Sequence, residues 1–282
     1  MVALLVAAGC GAGHGRPAHG ASVAPVAGAP APDAVLPASP RPLAERLSAV
    51  DAALARAILD WRMHGHPARG TPPGEVTLDA LYLQRGLRLL SRHPRLAAAT
   101  VRRLPTRLAR ETREVTTALR DLRRLSSGWP PHRVRTGPPE PVGVLLRHYH
   151  AAQRRFGVGW HVLAAVNLVE SAFGRLRNAS VAGARGPMQF MPATWRVYGL
   201  GGNINDPRDA ILGAANFLRH AGAPRSYARA LYAYNPSSLY VDAVRRYARL
   251  IARERNVVYF LYSWQVFVRT RHGERRVTGP GT

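Results

Sequence analysis

A chain of 282 residues has room for two folded units, or for one with long appendages, and its 46% hydrophobic content is enough for a core. The formal charge of +24 rests on 40 basic residues, every one an arginine, and implies polyanionic surroundings: nucleic acid, acidic lipid or an anionic cell wall. The single cysteine, Cys10, excludes an intrachain disulfide, so the fold must rest on packing.

Val2 to Ala8 is an apolar run too short to span a bilayer. It reads as the apolar core of a secretion signal, without the usual basic segment before it. Ala7-Ala8-Gly9-Cys10 resembles a bacterial lipobox, with Ala7 where leucine is usual. Residues 1–10 are therefore a signal or lipobox candidate in which Cys10 is either lipidated or incidental. Residues 11–42, rich in Ala, Pro and Gly, read as a flexible tether.

Residues 43–128 read as a helical region. Leu43, Leu47, Val50, Leu54, Ile58 and Trp61 share one helical face, and a second helix is expected from about Leu78 to Ser91, before Pro94. A third, arginine-rich helix has Leu108, Val115, Leu119, Leu122 and Leu125 as its apolar side and stops at Gly128. Arg102, Arg103, Arg107, Arg110, Arg113, Arg120, Arg123 and Arg124 charge the rest. That charge is either a solvated face, with Glu111 and Glu114 pairing locally, or a surface for an anionic polymer or membrane. Five prolines make residues 129–141 a linker.

Residues 142–255 form the second unit. A lead-in helix runs from Val142 to Phe156, and Val162, Leu163, Val166 and Val169 then mark a helix with a buried stripe. Glu170 falls on that stripe, where lost water raises a carboxyl pKa and makes it a candidate general acid. Gly174 is expected to end the helix. Glycines at 183 and 186 would let backbone approach a ligand, and Gln189 offers both a donor and an acceptor to an N-acetylated sugar. Met188 is either a soft sugar-facing surface or ordinary core. Trp195 heads inward from a short helix, and Asp206-Pro207 starts another, with Asp206 as cap. Further helices span Asp209 to Ala221, Tyr227 to Tyr234 and Leu239 to about Glu254. In residues 256–282, Val257, Tyr259, Leu261, Val266 and Val268 read as strand alternation, with His272-Gly273 turning a hairpin towards Val277.

Three ordered motifs carry a family resemblance: Glu170-Ser171, Gly-Pro-Met-Gln-Phe-Met-Pro at 186–192, and Ala-Tyr-Asn at 233–235. Over roughly residues 142–250 the chain resembles lytic transglycosylases of the goose-lysozyme-like superfamily, most closely the membrane-bound B type. Pro187 before Met-Gln, a tyrosine after the Asn, and Ser237 in place of a common glycine favour that branch. The resemblance implies a lysozyme-like α-helical catalytic domain; with the helical N-terminal region and the short C-terminal β-hairpin read from the residue pattern, the fold expected is mainly α. It implies Glu170 as sole catalytic acid and base, and Ser171 and Ser180 as supports. Met188 and Gln189 would line sugar subsites, and Asn235 would orient the substrate or the acid. Either Tyr234 or Tyr240 would bring a hydroxyl to Glu170. No Asp-x-Asp-x-Asp-Gly loop occurs, so no calcium, other metal or cofactor is expected.

The implied reaction cleaves the β-1,4 bond between N-acetylmuramic acid and N-acetylglucosamine in peptidoglycan glycan strands, leaving a 1,6-anhydromuramoyl end. A hydrolytic muramidase with the same site, or a noncatalytic cell-wall scaffold, are the rivals. No nucleic-acid motif accompanies the charge, and the leader points to an extracytoplasmic, secreted or lipid-anchored protein.

Overall fold

The computed structural model describes residues 28–126, 134–270 and 273–282. Cys10, the signal candidate, most of the tether, Gly128 and the turn residue His272 lie outside them. Among the described residues the chain is mainly helical, closed by a two-stranded antiparallel hairpin.

The N-terminal region holds α1 (Pro40–His64), α2 (Gly74–Arg92), α3 (Pro94–Val101) and α4 (Thr106–Leu125). Prolines set the starts: Pro40 and Pro94 sit in first turns, where the missing N–H costs nothing. The apolar face expected for α1 is buried from Leu43 to Trp61. Helix α3 was not anticipated, because only Thr100 and Val101 of its eight residues are buried, too few to leave a periodic signal.

Helix α5 (Val142–Phe156) leads into α6 (Trp160–Ser171), which carries Glu170. Next come α7 (Pro192–Tyr198), α8 (Pro207–His220), α9 (Tyr227–Tyr234) and α10 (Ser238–Arg253). Asp206 caps α8 as expected, accepting from the Asp209 N–H at 2.9 Å. Helix α10 is the middle of the molecule. It packs on α6 with one side and on α4 with another, so a single hydrophobic core runs through both halves of the chain. Glu114 does not pair locally; it reaches from α4 to Arg246 and Arg249 of α10, each at 3.0 Å. Arg107 binds Glu111 one turn on, but also Asp51 of α1.

Two expectations need correction. Residues 255–262 are helix α11 (Arg255–Tyr262), not strand. Val257 and Leu261 satisfy either periodicity; burial of Val258 and Tyr262 as well makes the pattern helical, and Tyr259 packs edge-on against Trp61, 5.5 Å between rings. Among the described residues, apart from isolated bridges, strand pairing joins β1 (Phe267–Thr270) and β2 (Gly273–Arg276), with Phe267 opposite Arg276. The described part of the proline-rich segment is also more than a spacer. Thr136 bridges Leu176, Gly137 N–H donates to Arg175 O, and Arg177 N–H donates to Arg135 O, so the segment backs the loop that follows α6.

Candidate active site

Helix α6 brings its acid to the end of an almost wholly buried cylinder. The helix stops at Ser171, three residues before the expected glycine. Ala172, Phe173 and Gly174 then run through left-handed conformations at φ 52°, 61° and 85°, strained for the first two. What holds the turn is Ser171: its hydroxyl accepts from Gly174 N–H at 2.9 Å and donates to Pro187 O.

Glu170 is only 3% exposed. Burial raises its pKa to about 8, against the pull of a hydrogen bond from the Tyr240 hydroxyl to Oε1 at 2.7 Å. The carboxyl therefore holds its proton at neutral pH. Tyr240, from the first turn of α10, is the tyrosine that reaches the acid; the Tyr234 hydroxyl donates instead to Met188 O at 2.6 Å. Both phenols are pushed well above their ordinary range, by burial first and by the nearby Glu170 carboxyl.

A cleft opens on Glu170 between the 184–191 loop and α9. Gln189, Phe190, Met191, Thr194, Phe217, Tyr234 and Asn235 line it, and Glu170 is the one carboxylate among its described lining residues. Gln189, at φ 49°, gives its amide N–H groups to Gly186 O (2.9 Å) and Asn178 O (3.3 Å), leaving Oε1 buried and without a partner. The donor expected for a sugar is thus spent on the loop, and the acceptor remains. Asn235 caps α9 and is 5% exposed; its side-chain amide makes no hydrogen bond among the described residues.

Other anticipated residues work at one remove. Met188 is fully buried and faces the core, while Met191, 41% exposed, takes the place in the cleft expected of it. The reason is the loop's short antiparallel bridge between Arg185 and Phe190, which turns residue 188 inward. The Ser180 hydroxyl accepts from Ala184 N–H at 2.9 Å and closes the turn before the loop. Gly186 is small for Ile204, not for a ligand: a Cβ there would stand 1.9 Å from Ile204 O. Gly183 does face open space.

Asn167 and Tyr149 were missed. The Tyr149 hydroxyl donates to Asn167 Oδ1 at 2.6 Å, and Asn167 Nδ2 donates to Pro187 O at 2.8 Å, fastening the loop to α6 one turn before Glu170. The available signal was an asparagine in an otherwise apolar run, Val162 to Val169. Phe190, Phe217 and Tyr234 form the cleft's wall, and with Trp195 behind Phe190 they pack edge to face, with centroids 5.2–5.7 Å apart.

One acid that holds a proton, beside an aromatic wall, the unpaired Gln189 Oε1 and the Asn235 amide, suits acid catalysis on a polar, ring-shaped substrate. Residues 148–252 match the family described as Transglycosylase SLT domain. A curated relative, the membrane-bound lytic murein transglycosylase F of Thiobacillus denitrificans, is 32% identical over 120 residues, 39% of this chain and 25% of the relative. The chain therefore spans about a quarter of that relative's length. The relative is of the F type, where the motifs had pointed to B. No solved structure matches the chain significantly.

Proposed function

With residues 148–252 an SLT transglycosylase domain, we propose that the chain is a peptidoglycan lytic transglycosylase in which Glu170 is both acid and base. The observation that carries this reading is a solitary buried carboxyl, protonated at neutral pH, at the floor of the cleft. Glycosidases that work through water or a covalent intermediate place two carboxylates about the scissile bond. Here one group must act twice.

In the first half, Glu170 gives its proton to the bridging oxygen between N-acetylmuramic acid and N-acetylglucosamine, and the C1–O bond breaks. The substrate's N-acetyl carbonyl steadies the cationic centre. In the second half, the Glu170 carboxylate takes the proton of the muramoyl 6-hydroxyl as its oxygen bonds to C1. The product is a 1,6-anhydro end, and the acid is restored without water. The nucleophile is already tethered to the reacting ring, which favours internal attack. Tyr240 steadies the carboxylate between the halves through its hydrogen bond. Gln189 Oε1 and the Asn235 amide supply an acceptor and a donor for the sugar's N-acetyl and hydroxyl groups.

Such a substrate places the protein outside the cytoplasm. The relative's printed name is membrane-bound, whereas no helix among this chain's described residues is long and apolar enough to cross a membrane, so a lipid on Cys10 is the anchor proposed. Residues 142–255 are proposed as the catalytic domain.

Mass spectrometry of purified peptidoglycan after digestion tests the reaction, with Glu170→Gln as control. Non-reducible muropeptides one water lighter than muramidase products, absent from the Gln digest, are expected. Reducible muramoyl ends would replace this mechanism with hydrolysis at the same site. Undiminished turnover by the Gln variant would remove Glu170 from the chemistry altogether.

A further inference from the structure

A second cavity, of about 450 Å³, lies at the other end of the helices that build the cleft. His161, in the first turn of α6, and Ser226 and Tyr227, at the start of α9, line it; both helices finish at the catalytic cleft. The Tyr227 hydroxyl joins the two starts by accepting from Gly159 N–H at 2.9 Å. At 1.5 Å per residue, the eight or nine residues of α6 from His161 and Val162 to Glu170 put roughly 12–14 Å between the cavity and the acid.

Three exposed arginines line this cavity: Arg225 from the α8–α9 turn, and Arg245 and Arg249 from successive turns of α10. No carboxylate lines it. Arg249 is held by Glu114 at 3.0 Å, while Arg225 and Arg245 have no ion-pair partner among the described residues. Asp242, one turn before Arg245, is not paired with it. Arg225 and Arg245, gathered beside Arg249 without a counter-charge of their own, repel one another, and a polyanion removes that cost. Guanidinium forks match the paired oxygens of a phosphodiester, and a polymer of phosphodiesters presents successive charges to forks that come from different elements. The volume exceeds what a bare ion needs and falls in the range of sites for larger ligands.

We propose that this cavity binds the phosphodiester groups of a water-soluble polyanion of the polyol phosphate kind. A membrane is the poorer fit. Surface helices that enter lipid present apolar side chains beside their charges, and none of the exposed large hydrophobic residues lines this cavity. The site is separate from the cleft, so a chain held there leaves Glu170 open to its own substrate.

The test is calorimetric titration of the full chain with a defined oligo(glycerol phosphate) at about 150 mM salt, where long-range attraction is screened. The variants are the pair Arg225→Gln/Arg245→Gln and, as a charge-matched control, Arg110→Gln/Arg113→Gln on the exposed side of α4. Circular dichroism confirms that each pair folds. Loss of roughly tenfold or more in affinity is expected from the first pair, from the loss of charge-assisted hydrogen bonds, and less than about twofold from the control. Equal weakening by the two pairs, or no binding by the unaltered chain, overturns the proposal. Tighter binding to phosphatidylglycerol vesicles or to a single-stranded oligonucleotide, lost in the first pair, also overturns it by making a headgroup or a nucleic acid the ligand.

Discussion

Glu170 keeps its proton because burial penalises the charged carboxylate more than its surroundings stabilise it. Burial pushes the pKa to about 8, and the Tyr240 hydroxyl is the main opposing influence. A donor to the ionised form favours ionisation, so Tyr240→Phe should raise the pKa further. Activity should fall on the alkaline side as the acid is lost, near pH 8 in the native chain and at higher pH in Tyr240→Phe, with kcat reduced about 10- to 100-fold. A pH profile of fragment release checks both. An unmoved alkaline limb would mean that Tyr240 serves packing alone. The same shift bears on stability, and its sign follows from which state holds the proton more tightly. The native state does, so the stability present below pH 4.5 is lost as pH rises towards about 8. Glu170→Gln, which cannot ionise, should melt several degrees higher than the native chain at about pH 9, with the gap closing by about pH 5. Calorimetric scans at the two pH values decide it.

At the scale of elements, the union of α6 with the 184–191 loop is what makes an acid into a site. Pro187 O accepts from Asn167 and from Ser171, and Tyr234 holds the next carbonyl. Asn167→Ala strips a partner from Tyr149 and from Pro187 at once, and should cost about 1–3 kcal/mol, the Tyr149 hydroxyl being left unsatisfied while Pro187 O keeps Ser171. Denaturant unfolding measures this; a change below about 0.5 kcal/mol would mean that water replaces both bonds. The helices were legible because their apolar residues recur on one face, as from Leu43 to Trp61. The loop was legible only as a motif. Its residues have no period, and whether Met188 or Met191 looks into the cleft depends on a bridge between Arg185 and Phe190 that spacing does not reveal.

For the whole molecule, the C-terminal hairpin is a clasp. Glu274 of β2 pairs with Arg88 of α2 at 2.9 Å and with Arg92 at 2.8 Å, and Arg88 lies 4.4 Å over the Phe267 ring. Gln84 adds two hydrogen bonds to the Gln265 backbone, at 2.8 and 2.9 Å, in place of a neighbouring strand. Arg88 is almost fully buried, and burial already lowers its pKa, the Glu274 carboxylate offsetting part of that. Glu274→Ala leaves the charge unpaired and should destabilise by about 3–5 kcal/mol, whereas Arg275→Ala, next to it on β2 and without an ion pair among the described residues, should cost less than about 0.5 kcal/mol. Thermal melts of the two variants give the comparison. Similar losses would show that the hairpin matters by its presence and not by its charge. The packing of α4 along α10 also predicts that residues 142–255 alone will be poorly soluble, since the apolar side of α10 that faces α4 would meet water.

Residue order alone determined most of the helices, though not α3 or α11, and that Glu170 would fall on the apolar stripe of its helix, because periodicity is a property of a helix by itself. It also determined the cap at Asp206, a bond made within three residues. Only the tertiary structure decided which tyrosine meets the acid, that Gly186 makes room for Ile204, and that Arg225 shares a cavity with Arg245. Each of these depends on the angle at which one element crosses another. That angle is set by the fit of many side chains together and is written in no single stretch of the chain.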